Sequence, residues 1–172
     1  MSSLADLQRV LDAEIPMCGQ MGVRVLGLAG DADAGGGDAG EDGAAGGLAM
    51  AMPLDRNRNH QLTAFAGSLN ALCTIAGWGA TYLLAGEARR DGAIVILRSS
   101  IKYHRPVESP SVVARCTPPA PDARDYFHEM LRAKGQAKLD LAVQIAAPGP
   151  AQERPAVAFQ GSYVVTLPGS DA

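Results

Sequence analysis

The chain has 172 residues, 47% of them hydrophobic and 19% charged, with a formal net charge of −3. That length fits one domain with a sizeable core, and an acidic balance without a basic run excludes a nucleic-acid binder. The cysteines, Cys18, Cys73 and Cys116, are odd in number and lack CxxC spacing. They point to free thiols in a reducing compartment; with no basic segment leading into an apolar run at the start, the expected location is cytoplasmic.

Ser3-Leu4-Ala5-Asp6 has the form of a capping box. Behind it Leu4, Leu7, Leu11 and Ile15 fall on one helical face, and Pro16 disfavours helical geometry at Ile15, which ends the helix. Val23 to Leu28 is the first expected strand. Gly30 to Gly47 is a Gly/Asp/Ala tract with almost nothing to bury, expected as a mobile loop. Asp31, Asp33, Gly36 and Asp42 echo a calcium loop, but Gly35 replaces a ligand and no helices flank the tract. Leu48, Met50 and Met52 alternate with Ala49 and Ala51 in a second strand closed by Pro53, so the first two strands form a hairpin with an expanded tip. Asp55 to Thr63 is a polar approach loop.

From Gln61 to Gly86 no residue carries a formal charge. Phe65, Leu69, Leu72, Cys73, Ile75, Ala76, Trp78, Leu83 and Leu84 leave no polar face, so a helix here is buried on every side. Its length would allow a membrane span. Asn70, Thr74, Thr81 and the helix-weakening Gly77 and Gly79 argue against one, as do the strand patterns on both sides. The expectation is a core helix wrapped by a curved sheet. Gly86 and the charged Glu87 to Asp91 end it.

Ala93 to Val107 is a long strand pattern. Val95, Leu97, Ser99, Ile101 and Tyr103 share one face; Ile94, Ile96, Arg98, Ser100, Lys102 and His104 share the other. Ser111 to Thr117 is a shorter strand. Asp122 can cap a helix carrying Tyr126, Phe127, Met130 and Leu131, stopped at Gly135. Ala137 to Ile145 alternates cleanly, Pro148-Gly149-Pro150 begins a turn, and Val157, Phe159, Gly161, Tyr163, Val165 and Leu167 form the last inward face. The order αββαββαββ gives an α+β class: an antiparallel sheet of about six strands around one long helix. It forms a single domain over residues 1–172 with an insertion at about 30–47.

The pattern Asn57-x-Asn59-x-x-x-Thr63-x-Phe65-x-Gly67-Ser68-Leu69, followed by Ala76-Gly77-Trp78-Gly79, resembles the thioesterase family that forms the C-terminal domain of YiiD-type proteins. The resemblance runs from about Leu7 to about Val165. It implies a hotdog fold, in which a sheet wraps one long helix, and activity on acyl thioesters such as acyl-CoA. It also implies a homodimer with clefts at the subunit interface, which can pair again into a tetramer.

Thioester hydrolysis needs a polarised carbonyl, a positioned water and a proton acceptor. The start of a helix supplies the first through its free backbone N–H groups and positive dipole end. That start falls near Phe65-Ala66-Gly67-Ser68, where better-known hotdog thioesterases often have His-Gly-Gly. Gly67 either admits substrate to the backbone or permits close helix–strand packing. Asn70, Thr74 and Thr81 recur at about helical period with the Trp78 indole N–H between them. They either face the acyl cleft and hold water, or bond to the sheet.

Thr74 stands where many hotdog thioesterases place a catalytic Asp or Glu, and a hydroxyl cannot replace a carboxylate as base. His60 is the nearest candidate base, histidine being the side chain that changes charge nearest neutrality; otherwise it is an exposed loop residue. Asn57 and Asn59 orient a water or pantetheine amides, or simply form the loop. Thr63, Phe65, Trp78, Tyr103 and Arg105 complete the expected substrate contacts, and Tyr103-x-Arg105-Pro106 resembles the strand end of many hotdog thioesterases. Arg56, Arg58, Lys102 and Arg105 are candidates for CoA phosphates, or are solvated. Cys73 as a Cys–His nucleophile is disfavoured by its apolar mid-helix setting. His60, His104 and His128 have no metal-ligand spacing, so neither metal nor cofactor is expected.

Three function classes follow: an acyl-thioester hydrolase, a non-catalytic acyl-CoA or lipid-binding hotdog protein, and a hotdog dehydratase. The last would want a histidine and an acid poised around the cleft, which His60 alone supports poorly.

Overall fold

The structure is a computed structural model that describes residues 3–29, 47–86, 92–146 and 154–169. Most of the Gly/Asp/Ala tract (residues 30–46), the charged stretch 87–91 and the turn expected at Pro148-Gly149-Pro150 lie outside the described residues.

Helix α1 (Leu4–Glu14) opens with the expected capping box: Ser3 Oγ accepts from the Asp6 N–H at 3.1 Å, and Asp6 Oδ2 accepts from the Ser3 N–H at 3.2 Å. Leu7 and Leu11 point into the core. Pro16 does end α1, but the chain re-enters a short helix α2 (Pro16–Met21), absent from the order expected above. Proline suits the first helical position because its missing N–H would find no partner there. Gly22, at φ 72°, closes α2 in the left-handed region.

Six strands follow: β1 (Arg24–Ala29), β2 (Gly47–Pro53), β3 (Ala93–Tyr103), β4 (Ser111–Cys116), β5 (Gln136–Ile145) and β6 (Val157–Thr166). They form one antiparallel sheet in the order β1-β2-β4-β5-β6-β3. The sheet curls around α3 (Ala66–Ala85), the single long helix, and this is the hotdog fold expected from the sequence. Among the described residues no helix is long and apolar enough to cross a membrane.

Burial of Leu69, Leu72, Cys73, Ala76 and Leu84 fixes α3 in the sheet, each leucine contributing roughly 1.5–3 kcal/mol. Its two mid-helix glycines let it sit this close. A Cβ on Gly77 would stand 2.3 Å from the hydroxyl of Tyr163, and one on Gly79 would stand 2.5 Å from Met50 Cε. Between them the Trp78 indole N–H donates to the Ile94 carbonyl at 3.2 Å, pinning α3 to the start of β3, and its ring stacks on Tyr82.

Helix α4 (Pro121–Lys134) packs Phe127 and Leu131 inward and stops at Gly135, φ 65°. Asp122 lies in its first turn rather than at the cap, which is Ala120 without a side-chain bond; its charge still favours the positive helix end.

Strand β3 departs from strict alternation. Ile96 pairs with Tyr163 and Arg98 with Ser162, leaving Leu97 as an unpaired bulge residue. Past the bulge the faces exchange relative to the simple pattern, so Ile94, Ile96, Ser99 and Ile101 share one side of the sheet. The strand also ends at Tyr103, four residues before Val107. The His104 and Arg105 N–H groups converge on the one Ala156 carbonyl, and Pro106 has no N–H, so the ladder cannot advance.

Strands β1 and β3 are the two edges. At β1, Gln8 of α1 covers the open side: its Oε1 accepts from the Val25 N–H at 2.7 Å and its Nε2 donates to the Val23 carbonyl at 3.3 Å. Edge β3 has no such cover among the described residues; Val95, Leu97 and Tyr103 stand exposed along it.

Candidate active site

The first turn of α3 leaves its amide groups open. Phe65 is the N-cap and supplies no side-chain bond. The Leu69 N–H closes the first helical turn on the Phe65 carbonyl at 3.0 Å. The N–H groups of Ala66, Gly67 and Ser68 have no acceptor among the described residues. Three free donors at the positive end of a 20-residue helix make an oxyanion-binding geometry.

Gly67 has a more specific role than either expectation. A Cβ there would stand 2.4 Å from Phe65 Cε1, so the bare glycine seats the ring of its own N-cap residue. Phe65 is 54% exposed, and its ring forms an apolar wall beside the free amides.

The approach loop is built by its own polar side chains. Asn57 is 3% exposed, and its Nδ2 donates to the Met21 and Pro53 carbonyls, each at 2.8 Å. Its carbonyl accepts from the Phe65 N–H at 2.7 Å, which ties the loop directly to the helix start. Asn59 Oδ1 accepts from the Gln61 N–H at 2.8 Å and the Thr63 N–H at 3.3 Å, and its Nδ2 donates to Thr63 Oγ1 at 3.0 Å. Asn57, Asn59 and Thr63 thus hold the loop in shape. His60 is exposed at its tip.

The polar line along α3 divides in two. In its second half, Trp78 bonds to Ile94, and Thr81 Oγ1 donates to the Gly77 carbonyl at 2.9 Å. In its first half, Asn70 Oδ1 is buried with no partner, and the Thr74 hydroxyl also has none among the described residues. Only the Thr74 carbonyl is engaged, accepting from the Tyr163 hydroxyl at 2.9 Å. The unpaired half lies next to the free amides, so the two unsatisfied sets adjoin on one stretch of helix.

Tyr103 donates its hydroxyl to the Ala66 carbonyl at 3.1 Å, fixing the end of β3 to the first residue of α3. Burial, followed by the nearby Cys73, pushes its pKa up. The Arg105 guanidinium donates to the Arg154 carbonyl, and its Nε is buried without a partner. Tyr103 therefore braces the helix start, whereas Arg105 braces the chain just before β6. Cys73 is no nucleophile: burial, then Cys116, pushes its pKa up to about 12. Among the described residues no group of three His, Cys, Asp or Glu side chains converges as a metal site requires.

Tyr163 and Phe65 carry more of this arrangement than the sequence revealed. Nothing in the spacing ties Tyr163 to Gly77, 86 positions away. The Phe-x-Gly spacing was the one available signal for the ring seated on Gly67.

A family model described as "Putative thioesterase (yiiD_Cterm)" matches residues 43–167. Among solved structures, a protein of unknown function from Chlorobaculum tepidum is 25% identical with a TM-score of 0.80, covering 95% of this chain and 94% of that one. A putative thioesterase from Shewanella oneidensis is 27% identical with a TM-score of 0.73, covering 95% and 96%. A thioesterase from Haemophilus influenzae, 16% identical with a TM-score of 0.58 over 96% and 91%, shares the fold.

Proposed function

The chain belongs to the YiiD C-terminal thioesterase family, and on that premise we propose that it hydrolyses acyl thioesters of the acyl-CoA type at the start of α3. The observation that carries this reading is the adjacency of free amides at Ala66, Gly67 and Ser68 to the buried, unpaired Oδ1 of Asn70. The thioester carbonyl oxygen accepts from the Gly67 and Ser68 N–H groups. A water held by Asn70 Oδ1 and Thr74 Oγ1 attacks the carbonyl carbon and gives up a proton to His60 or to a group of a second copy of the chain. The C–S bond then breaks, and the sulfur leaves as a thiol on taking a proton. Phe65 walls the approach.

Removing an oxyanion donor costs about a hundredfold or more in turnover, and misplacing a nucleophile costs a similar factor. Thiol release from a panel of acyl-CoAs tests the reading. Wild type should turn over; Asn70→Ala should fall by about a hundredfold with circular dichroism unchanged. Thr74→Asp should match or exceed wild type, because it places a carboxylate beside the water. A second reading, an acyl-thioester-binding protein without turnover, draws on one observation: α3 contains no acidic residue. It replaces the first if wild type releases no thiol from any member of the panel and Thr74→Asp confers none.

A further inference from the structure

The outer face of the sheet carries charge against the sign of the chain. Strands β3, β4, β5 and β6 hold four cations, Arg98, Lys102, Arg115 and Lys138, and one acid, Asp140. The registers put all five on one side. Arg98 lies opposite Ser162, which lies opposite Asp140; Lys102 and Lys138 fall at even steps along the same strands, and Arg115 pairs with Gln144 on that side of β5. The other side carries Leu139, Leu141, Phe159 and Tyr163, buried in the core with α3. A surplus of positive charge thus collects on the outside of a chain whose net charge is −3.

Asp140, Ser162 and Arg98 form a relay across the neighbouring strands β5, β6 and β3. Ser162 is 4% exposed. Its hydroxyl donates to Asp140 Oδ1 and accepts from Arg98 Nε at 3.2 Å. Lys138 Nζ takes the other Asp140 oxygen at 3.1 Å. The hydrogen bond from Ser162, aided by Lys138, holds the Asp140 carboxyl below its usual range. A simple cross-strand brace would set the arginine directly on the carboxylate. Here the serine stands between them, so Arg98 is held through Nε while neither Nη has a partner among the described residues. A solvent-facing arginine gives up much rotamer freedom when it binds; this one is already oriented.

Arg98 lines a groove of about 520 Å³ with Ser100, Asp140, Ala142, Gln160 and Ser162, a volume within the range of small-molecule sites. Ser100 and Gln160 face each other across β3 and β6, both exposed, and their side chains have no partner among the described residues. Guanidinium, hydroxyl and amide groups are therefore free to donate, while both oxygens of the one acid are engaged. That balance suits an anion. The acidic charge of the whole chain disfavours an extended polyanion, which leaves a small one.

We propose that this groove is a second binding site, for a small ligand carrying a phosphate group, gripped by the planar fork of Arg98 with Ser100 and Gln160 as further donors. Ser162 and Asp140 are positioning residues that aim the fork. The sheet separates this groove from α3, so the inference stands apart from the thioesterase reading.

Titration calorimetry of the full chain at low ionic strength, with inorganic phosphate, pyrophosphate and ADP as probes, tests it. At least one should bind, and which one does distinguishes free phosphate from a phosphate ester. Arg98→Lys keeps the charge but loses the fork; Ser162→Ala keeps every charge but releases the fork. Each should weaken binding by about tenfold or more, with circular dichroism unchanged. General attraction to a positive surface would leave both variants at wild-type affinity. That result, or no binding of any probe by wild type, overturns the proposal. If Ser162→Ala does not fold, Arg98→Lys decides alone, since Arg98 lies on the surface.

Discussion

Asn70 keeps a buried carbonyl oxygen without a donor, an arrangement that costs a fold about 1–3 kcal/mol. If that oxygen serves water and substrate, Asn70→Ala should separate stability from function, with the melting temperature steady or higher while turnover drops. A melting temperature that falls along with activity would make Asn70 a structural residue. His128 gives a second test at this scale. Burial holds its pKa below the ordinary 6.5, with Arg132 and Arg124 adding to the effect and Asp125 opposing it. Below pH 6.5 the unfolded chain takes up a proton that the folded chain accepts less readily. Stability should therefore fall as pH drops from there toward the folded value, and His128→Gln should flatten that slope in denaturant titrations. The sequence marked Asn70, Thr74, Trp78 and Thr81 as one polar line by their spacing. Only the fold sorts them, because Ile94 reaches Trp78 from a distant strand, while the Asn70 carbonyl oxygen and the Thr74 hydroxyl meet no partner among the described residues.

At the scale of elements, the two glycines of α3 should respond differently to the same added methyl group. Alanine gains about 1 kcal/mol of helix propensity at either position, and overpacking costs about 1–3 kcal/mol. At Gly79 the added methyl meets the ends of three buried flexible side chains, Met50, Leu48 and Leu7; at Gly77 it meets the rigid ring of fully buried Tyr163. Gly79→Ala is thus expected to lower the melting temperature less than Gly77→Ala. Equal melting temperatures would show that Tyr163 can yield. Elements with a strong pattern were legible: the uncharged stretch became α3, and the alternation of Ala137 to Ile145 held to the last residue. What eluded the pattern was local. Pro16 both stops one helix and starts another, and one extra residue at Leu97 reverses the phase of β3.

For the whole molecule, the two sheet edges are unequal. Gln8 caps the start of the six-residue edge β1, whereas β3 offers an eleven-residue edge with exposed Val95, Leu97 and Tyr103. Soluble proteins seldom leave such an edge bare, so a homodimer joined through β3 is expected. Light scattering should give twice the chain mass, and Val95→Lys with Leu97→Lys should give a folded monomer. A wild-type monomer at micromolar concentration would refute the pairing. The bulge within this edge also sets how the gene can change length. Removing a residue of β3 far from the bulge would send the side chains between the deletion and the bulge to the opposite face. Removing Leu97 would join Ile96 to Arg98 with both already on their proper sides, and removing Ile96 would let Leu97 take its place opposite Tyr163, so β3 should tolerate a one-codon deletion at the bulge better than toward either end.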